Sequence, residues 1–95
     1  YKVKESSISK DTKEVLLGQY YENLVRLSME LENFNMGDNL IKENKLETVR
    51  YHDVAGDFYK HFQENEIAIY HYEQAMSLDI DDSQKNLIKL KKPIN

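Results

Sequence analysis

The sequence contains no cysteine and no tryptophan, and it has only three glycines and one proline in 95 residues. The absence of cysteine excludes disulfides, thiolate catalysis and zinc sites built on sulfur, and it fits a cytoplasmic protein. So few glycines and prolines disfavour a turn-rich β fold. No run of aliphatic residues is longer than three, so no segment is predicted to span a bilayer. These absences favour a small all-α domain.

The charge is unevenly distributed along the chain. The net charge is −4, but residues 1–10 carry +2 and residues 85–95 carry +4, which leaves −10 for residues 11–84. An acidic body disfavours phosphate-rich partners such as nucleic acid or a membrane surface. We therefore expect a protein or peptide partner that is basic or neutral.

Hydrophobic residues recur at intervals of three and four from Leu17 to Phe34, which predicts a first helix of roughly six turns. Residues 1–10 are interpreted as a polar tail. Asp11 and Glu14 fit a capping box at the start of this helix. Gly37 is expected to stop it with a positive φ.

The next segment begins with Asp38 as the expected cap. One long helix or two short ones fit residues 38–62, and we favour a single helix because no glycine or proline interrupts 38–55. A polar connection at 63–65 precedes a helix over 66–78. A last helix over 83–92, capped by Asp82 or Ser83, ends before Pro93. Short connections predict antiparallel helical hairpins, four or five helices in all.

Small and large residues in 49–82 fall at the spacing of a known 34-residue repeat. They are Ala55, Gly56, Tyr59, Ala68, Tyr72 and Ala75. This segment resembles a tetratricopeptide repeat (TPR), which implies a fragment of a right-handed α-solenoid. Gly56 and Ala68 lack bulk, so the two helix axes can approach closely, and Tyr59 and Tyr72 can fill the adjacent spaces.

Three residues depart from the repeat pattern, since His52 replaces Trp, Ala55 replaces Leu and Ile80 replaces Pro. Residues 11–48 are either a diverged repeat or an unrelated packing helix, because Leu17-Gly18 followed by Tyr21 matches only one helix of the unit. We interpret 83–95 as a capping helix and basic tail.

Chemistry-bearing residues are sparse. Asp53, Asp57 and His61 are spaced by one helical turn, so they fit either a metal or proton-relay stripe or a polar face, and we favour the polar face. We expect no metal and no cofactor. No nucleophile–base pair can be assembled from the motifs, so we expect no enzymatic activity.

The resemblance implies that the first helix of the hairpin lines a peptide-binding groove. The residues expected on its exposed side are Arg50, Asp53, Asp57, Lys60 and His61. The two aspartates would repel a carboxylate, which favours a basic or neutral segment. Two alternatives remain, a self-assembling structural domain that swaps 83–92 and the first helix between protomers, and the peptide-sensing part of a larger regulator.

Overall fold

The computed structural model describes residues 10–46, 48–78 and 80–93, and these form five α-helices and no strand. The all-α prediction is confirmed. The helices are α1 (Lys10–Glu30), α2 (Phe34–Glu43), α3 (Val49–His61), α4 (Asn65–Ser77) and α5 (Asp82–Lys91). Since α1 already includes Lys10, Asp11 lies inside a helix rather than at its cap, and the rest of the expected polar tail lies outside the described residues.

The connection between α1 and α2 lies earlier than predicted. The chain turns at Glu32, which has a φ of 54°, and the side chain of Asn33 caps α2 by accepting from the amide of Met36. Gly37 was expected to stop the first helix with a positive φ, but it lies inside α2 and no described glycine has a positive φ. Asp38 likewise does not cap a helix. Polar residues with local hydrogen bonds therefore make this turn, and glycine does not.

The single helix favoured for 38–62 is wrong, because the chain breaks between Glu43 and Val49. The side-chain amide of Asn44 donates to the carbonyl of Leu40 at 2.8 Å and ends α2. The hydroxyl of Thr48 then accepts from the amide of Tyr51 at 3.1 Å and begins α3. The side chains of Asn44 and Thr48 thus pair with backbone groups at the end of α2 and at the start of α3, where intrahelical hydrogen bonds are missing.

Helices α3 and α4 form a tight antiparallel hairpin. The helix predicted over 66–78 is observed at Asn65–Ser77. Ala68 and Ala75 are fully buried, and a Cβ added to Gly56 would lie 2.5 Å from the ring of Tyr72. The absence of a side chain at Gly56 is therefore what lets Tyr72 lie against α3.

Helices α1 and α3 end in the same way. In each, two backbone amides of the connection donate to carbonyls in the last turn of the helix. After α1, Glu32 donates to Met29 and Asn33 donates to Ser28. After α3, Gln63 donates to Lys60 and Glu64 donates to Tyr59. This is the Schellman pattern, with Glu32 and Gln63 at positive φ. Both hairpins, α1–α2 and α3–α4, consequently have three-residue connections.

The last helix is capped by Asp81, whose carboxylate accepts from the amide of Gln84 at 2.8 Å, and not by Asp82 or Ser83 as expected. Helix α1 packs on α2 and α3, α3 packs on α4, and α4 packs on α5. Buried tyrosines join these helices, since Tyr21 donates to the carbonyl of Tyr51, and Tyr51 donates to that of Ile41. The core therefore consists of successive helix–helix interfaces. Helix α5 lies beside α3, to which it is joined by ion pairs.

Candidate interaction site

One carboxylate joins four helices. Asp57 on α3 accepts hydrogen bonds from Arg26 of α1 at 3.1 Å, from the hydroxyl of Tyr72 of α4 at 2.5 Å, and from Lys91 of α5 at 3.3 Å. Its side chain is only 16% exposed. Asp57 therefore lies in the junction between the helices.

Burial alone would raise the pKa of Asp57. The hydrogen bonds from Tyr72 and Lys91, the charge of Lys91 and the hydrogen bond from Arg26 outweigh burial and lower that pKa below its usual value. The hydrogen bond between Asp57 and Tyr72 has the opposite effect on the tyrosine. Burial, together with the Asp57 carboxylate, raises the pKa of the Tyr72 hydroxyl. Asp57 is therefore charged at neutral pH and fully engaged.

Helix α5 is held beside α3 by two lysines. The ammonium of Lys91 forms an ion pair with Asp53 at 2.5 Å and a second with Asp57 at 3.0 Å. Lys60 of α3 donates to the backbone carbonyl of Lys91 at 2.7 Å, which satisfies a terminal carbonyl of α5. The carboxylate of Asp53 also accepts a hydrogen bond from Lys91, so the two aspartates of α3 share one ammonium.

A groove of about 500 Å³ lies between α3 and α5. Two of its apolar side chains, Leu87 and Leu90, are 64% and 82% exposed. The groove is therefore an apolar surface bordered by charged side chains. Asp53 and Lys60 border it on α3, and Lys91 borders it at the end of α5. Its lining comprises Val49, Asp53, Lys60, Gln84, Leu87, Ile88, Leu90 and Lys91.

The structure separates the five predicted site residues into two groups. Asp53 and Lys60 line the groove, and Asp57 lies behind it under Lys91. Arg50 instead turns toward α1, with its Nε 3.7 Å from Glu22, and His61 contacts Glu32 at 3.2 Å. The role of these residues in binding stays a prediction.

The aspartates and His61 of the proposed polar stripe do not converge. Asp53 and Asp57 contact Lys91, whereas His61 points to the α1–α2 turn. Within the residues that the structure describes, no group of three His, Cys, Asp or Glu side chains is arranged to hold a metal ion.

A second polar feature escaped the sequence reasoning. His52 of α3 and His71 of α4 are both buried, and their Nδ1 atoms lie 3.0 Å apart. The ring of His71 also stacks on Tyr59, at 5.6 Å between centroids and 4° between planes. A hydrogen bond between two Nδ1 atoms needs one protonated and one unprotonated nitrogen, so the pair excludes a proton on both.

The hairpin register could have revealed this pair. His52 and His71 lie eleven and eight residues on either side of Gln63, the residue at which the hairpin turns. Residues at similar distances from an antiparallel turn face each other. The contact of Arg26 with Asp57 could not be found in this way, because it depends on how α1 crosses α3.

No family model, no curated protein and no solved structure matches this chain. Among the helices of the described residues, none combines the length and apolar character needed to cross a membrane.

Proposed function

We propose that this chain is a non-enzymatic interaction module that binds a protein or peptide segment in the groove between α3 and α5. The observation that carries the proposal is the pair of exposed leucines, Leu87 and Leu90, on a concave surface bordered by charged side chains. A surface that is concave, apolar and rimmed by polar groups is typical of a binding site.

A TPR-like arrangement is part of the proposal, and the two hairpins support it. Both have three-residue connections that end in the same Schellman pattern. When the turns are aligned, Gly37 of α2 corresponds to Ala68 of α4, because each lies five residues after the residue of positive φ. Both are buried small residues at a helix contact. The same alignment places Val25, not Gly18, at the position of Gly56, so it supports 11–48 as a diverged repeat through its second helix and not through Leu17-Gly18 and Tyr21.

The charges around the groove limit the net charge that a bound segment can carry. Asp57 is already neutralised by Lys91 and Arg26, so it has little attraction left for a basic side chain. Asp53, with 31% of its side chain exposed, is likewise paired with Lys91, at 2.5 Å. Neither aspartate strongly attracts a basic side chain, so the partner is a neutral or mildly basic segment that presents apolar side chains to Leu87 and Leu90.

A peptide-display selection on the full chain tests this function. We expect enriched peptides to share apolar residues at helical or extended spacing and to carry no excess of acid. The double variant Leu87→Glu/Leu90→Glu should weaken binding of an enriched peptide at least about tenfold in calorimetry, because it places charge on the exposed apolar side of the groove. Both side chains are exposed, so this variant should stay folded.

Asn86→Glu is the matched control, because it adds a charge to the same helix at a residue outside the groove lining. It should leave the peptide affinity unchanged. Selections that enrich no peptide, or peptides that bind the double variant as tightly as the original chain, would refute the groove as the binding site.

Self-assembly is the alternative function that an observation favours, since α1 also carries exposed apolar side chains. Light scattering across a dilution series, on the original chain and on Leu87→Glu/Leu90→Glu, distinguishes the two: if the groove is an assembly surface, the double variant loses the gain of mass with concentration, whereas a peptide-binding groove leaves that gain unchanged. A peptide-sensing role in a larger regulator would use the same groove.

A further inference from the structure

Helix α1 has a second apolar face that no other described helix covers. Leu17 and Tyr20 are 56% and 66% exposed, Leu27 and Leu31 are 42% and 60% exposed, and Leu24 between them is partly buried. These five residues, here called the α1 stripe, are spaced 3, 4, 3 and 4. That alternation is the heptad pattern of two helices that pack side by side.

The α1 stripe is flanked by depressions that could accept side chains. On one side, Leu17 and Leu24 border a cleft of about 370 Å³ toward Leu40 and Leu46. On the other side, Leu24 and Leu27 border a shallower hollow that reaches Glu30. A helix laid along the stripe would insert its apolar residues into both.

The charges at the two ends of the stripe are opposite. Lys13 lies one turn before Leu17, and Glu30 lies next to Leu31; both are exposed. In an antiparallel pair of α1 helices, Leu17 meets Leu27 of the second copy and Tyr20 meets Leu24 of the second copy. Lys13 then comes opposite Leu31 of the second copy, beside its Glu30.

We propose that the α1 stripe is a self-association surface that binds a second copy of this chain in antiparallel orientation, independently of the α3–α5 groove. A parallel pair would place Lys13 against Lys13 and Glu30 against Glu30, which is repulsive at both ends. Two heptads are short for an isolated coiled coil. Here α1 is already held in place by α2 and α3, so dimerisation does not have to fold it.

Sedimentation velocity of the full chain, from micromolar to near-millimolar concentration, tests the proposal. We expect a reversible monomer–dimer equilibrium. Tyr20→Glu should weaken the dimer at least about tenfold, since each dimer contains that side chain twice. Gln19→Glu, an adjacent exposed residue off the stripe, should leave it unchanged. Circular dichroism shows whether each variant keeps its helices.

Charge reversal tests the orientation. Lys13→Glu alone and Glu30→Lys alone should each weaken the dimer about three- to tenfold, and the double reversal should restore it, because the exchanged charges again meet across the antiparallel pair. A monomer at all concentrations, assemblies larger than a dimer, a dimer indifferent to Tyr20→Glu, or a double reversal without rescue would overturn the proposal.

Discussion

The three glycines of this chain all lie in helices, yet they differ in what surrounds them. A Cβ on Gly56 would overlap the ring of Tyr72, and one on Gly37 would overlap the ring of Phe58 and the hydroxyl of Ser28. A Cβ on Gly18 would meet only the flexible side chain of Arg50, at 3.3 Å. Gly37 and Gly56 therefore permit helix contacts, whereas Gly18 mainly costs helix propensity.

Gly56→Ala and Gly18→Ala form a matched pair for testing this difference. Gly56→Ala should lower the free energy of unfolding by about 1–3 kcal/mol through overpacking. Gly18→Ala should be neutral or raise it by up to ~1 kcal/mol, because alanine favours the helix. Urea unfolding followed by circular dichroism measures both. Equal effects of the two substitutions would show that the Gly56–Tyr72 contact is not tight.

His71 provides a residue-scale test of pH dependence. Burial, together with the neighbouring His52, lowers the pKa of His71 to about 4. In the unfolded chain the pKa of this imidazole is about 6.5, so between pH 6.5 and pH 4 the unfolded state binds a proton that the folded state does not. Stability should therefore fall as the pH decreases through this range, by on the order of 3 kcal/mol.

His71→Gln should remove most of this loss, and His61→Gln, at an exposed histidine, should retain it. Chemical unfolding of each variant at several pH values gives the comparison. The other ionisable groups around His71 are His52, Tyr51, Tyr59 and Tyr70, which are in ring contact with it, and Asp38, Lys42 and Lys45, which line the same cavity. Parallel pH curves for the original chain and His71→Gln would contradict the assignment.

At the scale of elements, α5 is the helix whose position depends most on charge. One of its described residues, Ile88, is buried, and Lys91 connects it to Asp53 and Asp57. The ring of Tyr72 also lies beneath the Lys91 ammonium, with its centroid 5.6 Å away. A helix with so small an apolar contact relies on these ion pairs for its place.

Lys91→Met should loosen α5 without unfolding the α3–α4 hairpin. Loss of the cation leaves Asp53 and Asp57 with less compensation, which should cost about 1 kcal/mol because the pair is partly exposed to solvent. Amide hydrogen exchange should accelerate in α5 and stay unchanged in α4. Lys89→Met, at an exposed lysine in the same turn, is the control, and identical exchange in the two variants would contradict this role of Lys91.

At the level of the whole fold, the residues that the structure describes present two apolar surfaces that belong to different helices. The α3–α5 groove and the α1 stripe share no residue, so the binding proposed for each can be separated by mutation. Leu87→Glu/Leu90→Glu should weaken peptide binding and preserve the dimer, and Tyr20→Glu should weaken the dimer and preserve peptide binding. A variant that affects both measurements would indicate one continuous interface.

The sequence predicted the α3–α4 hairpin because small residues at this spacing are explained by one feature, a close contact between two helices. Gly56, Ala68 and Ala75 fit only a close helix contact, and all three are buried. The break between α2 and α3 was not predicted, because Asn44 and Thr48 are compatible with a helix until their side chains find backbone partners. The exposed side of α3 was predicted from spacing alone, which could not show that Asp57 is covered by helices α1, α4 and α5.

The amino-acid sequence is enough to predict that this chain is helical and where its close helix contact lies, because periodicity and side-chain size act locally. Which charges meet, and which apolar faces stay uncovered among the described helices, depends on the packing of the helices in three dimensions. Asp57 is joined to Arg26 and Lys91 across 31 and 34 residues of chain. Such pairs depend on the crossing of helices, which no local pattern encodes.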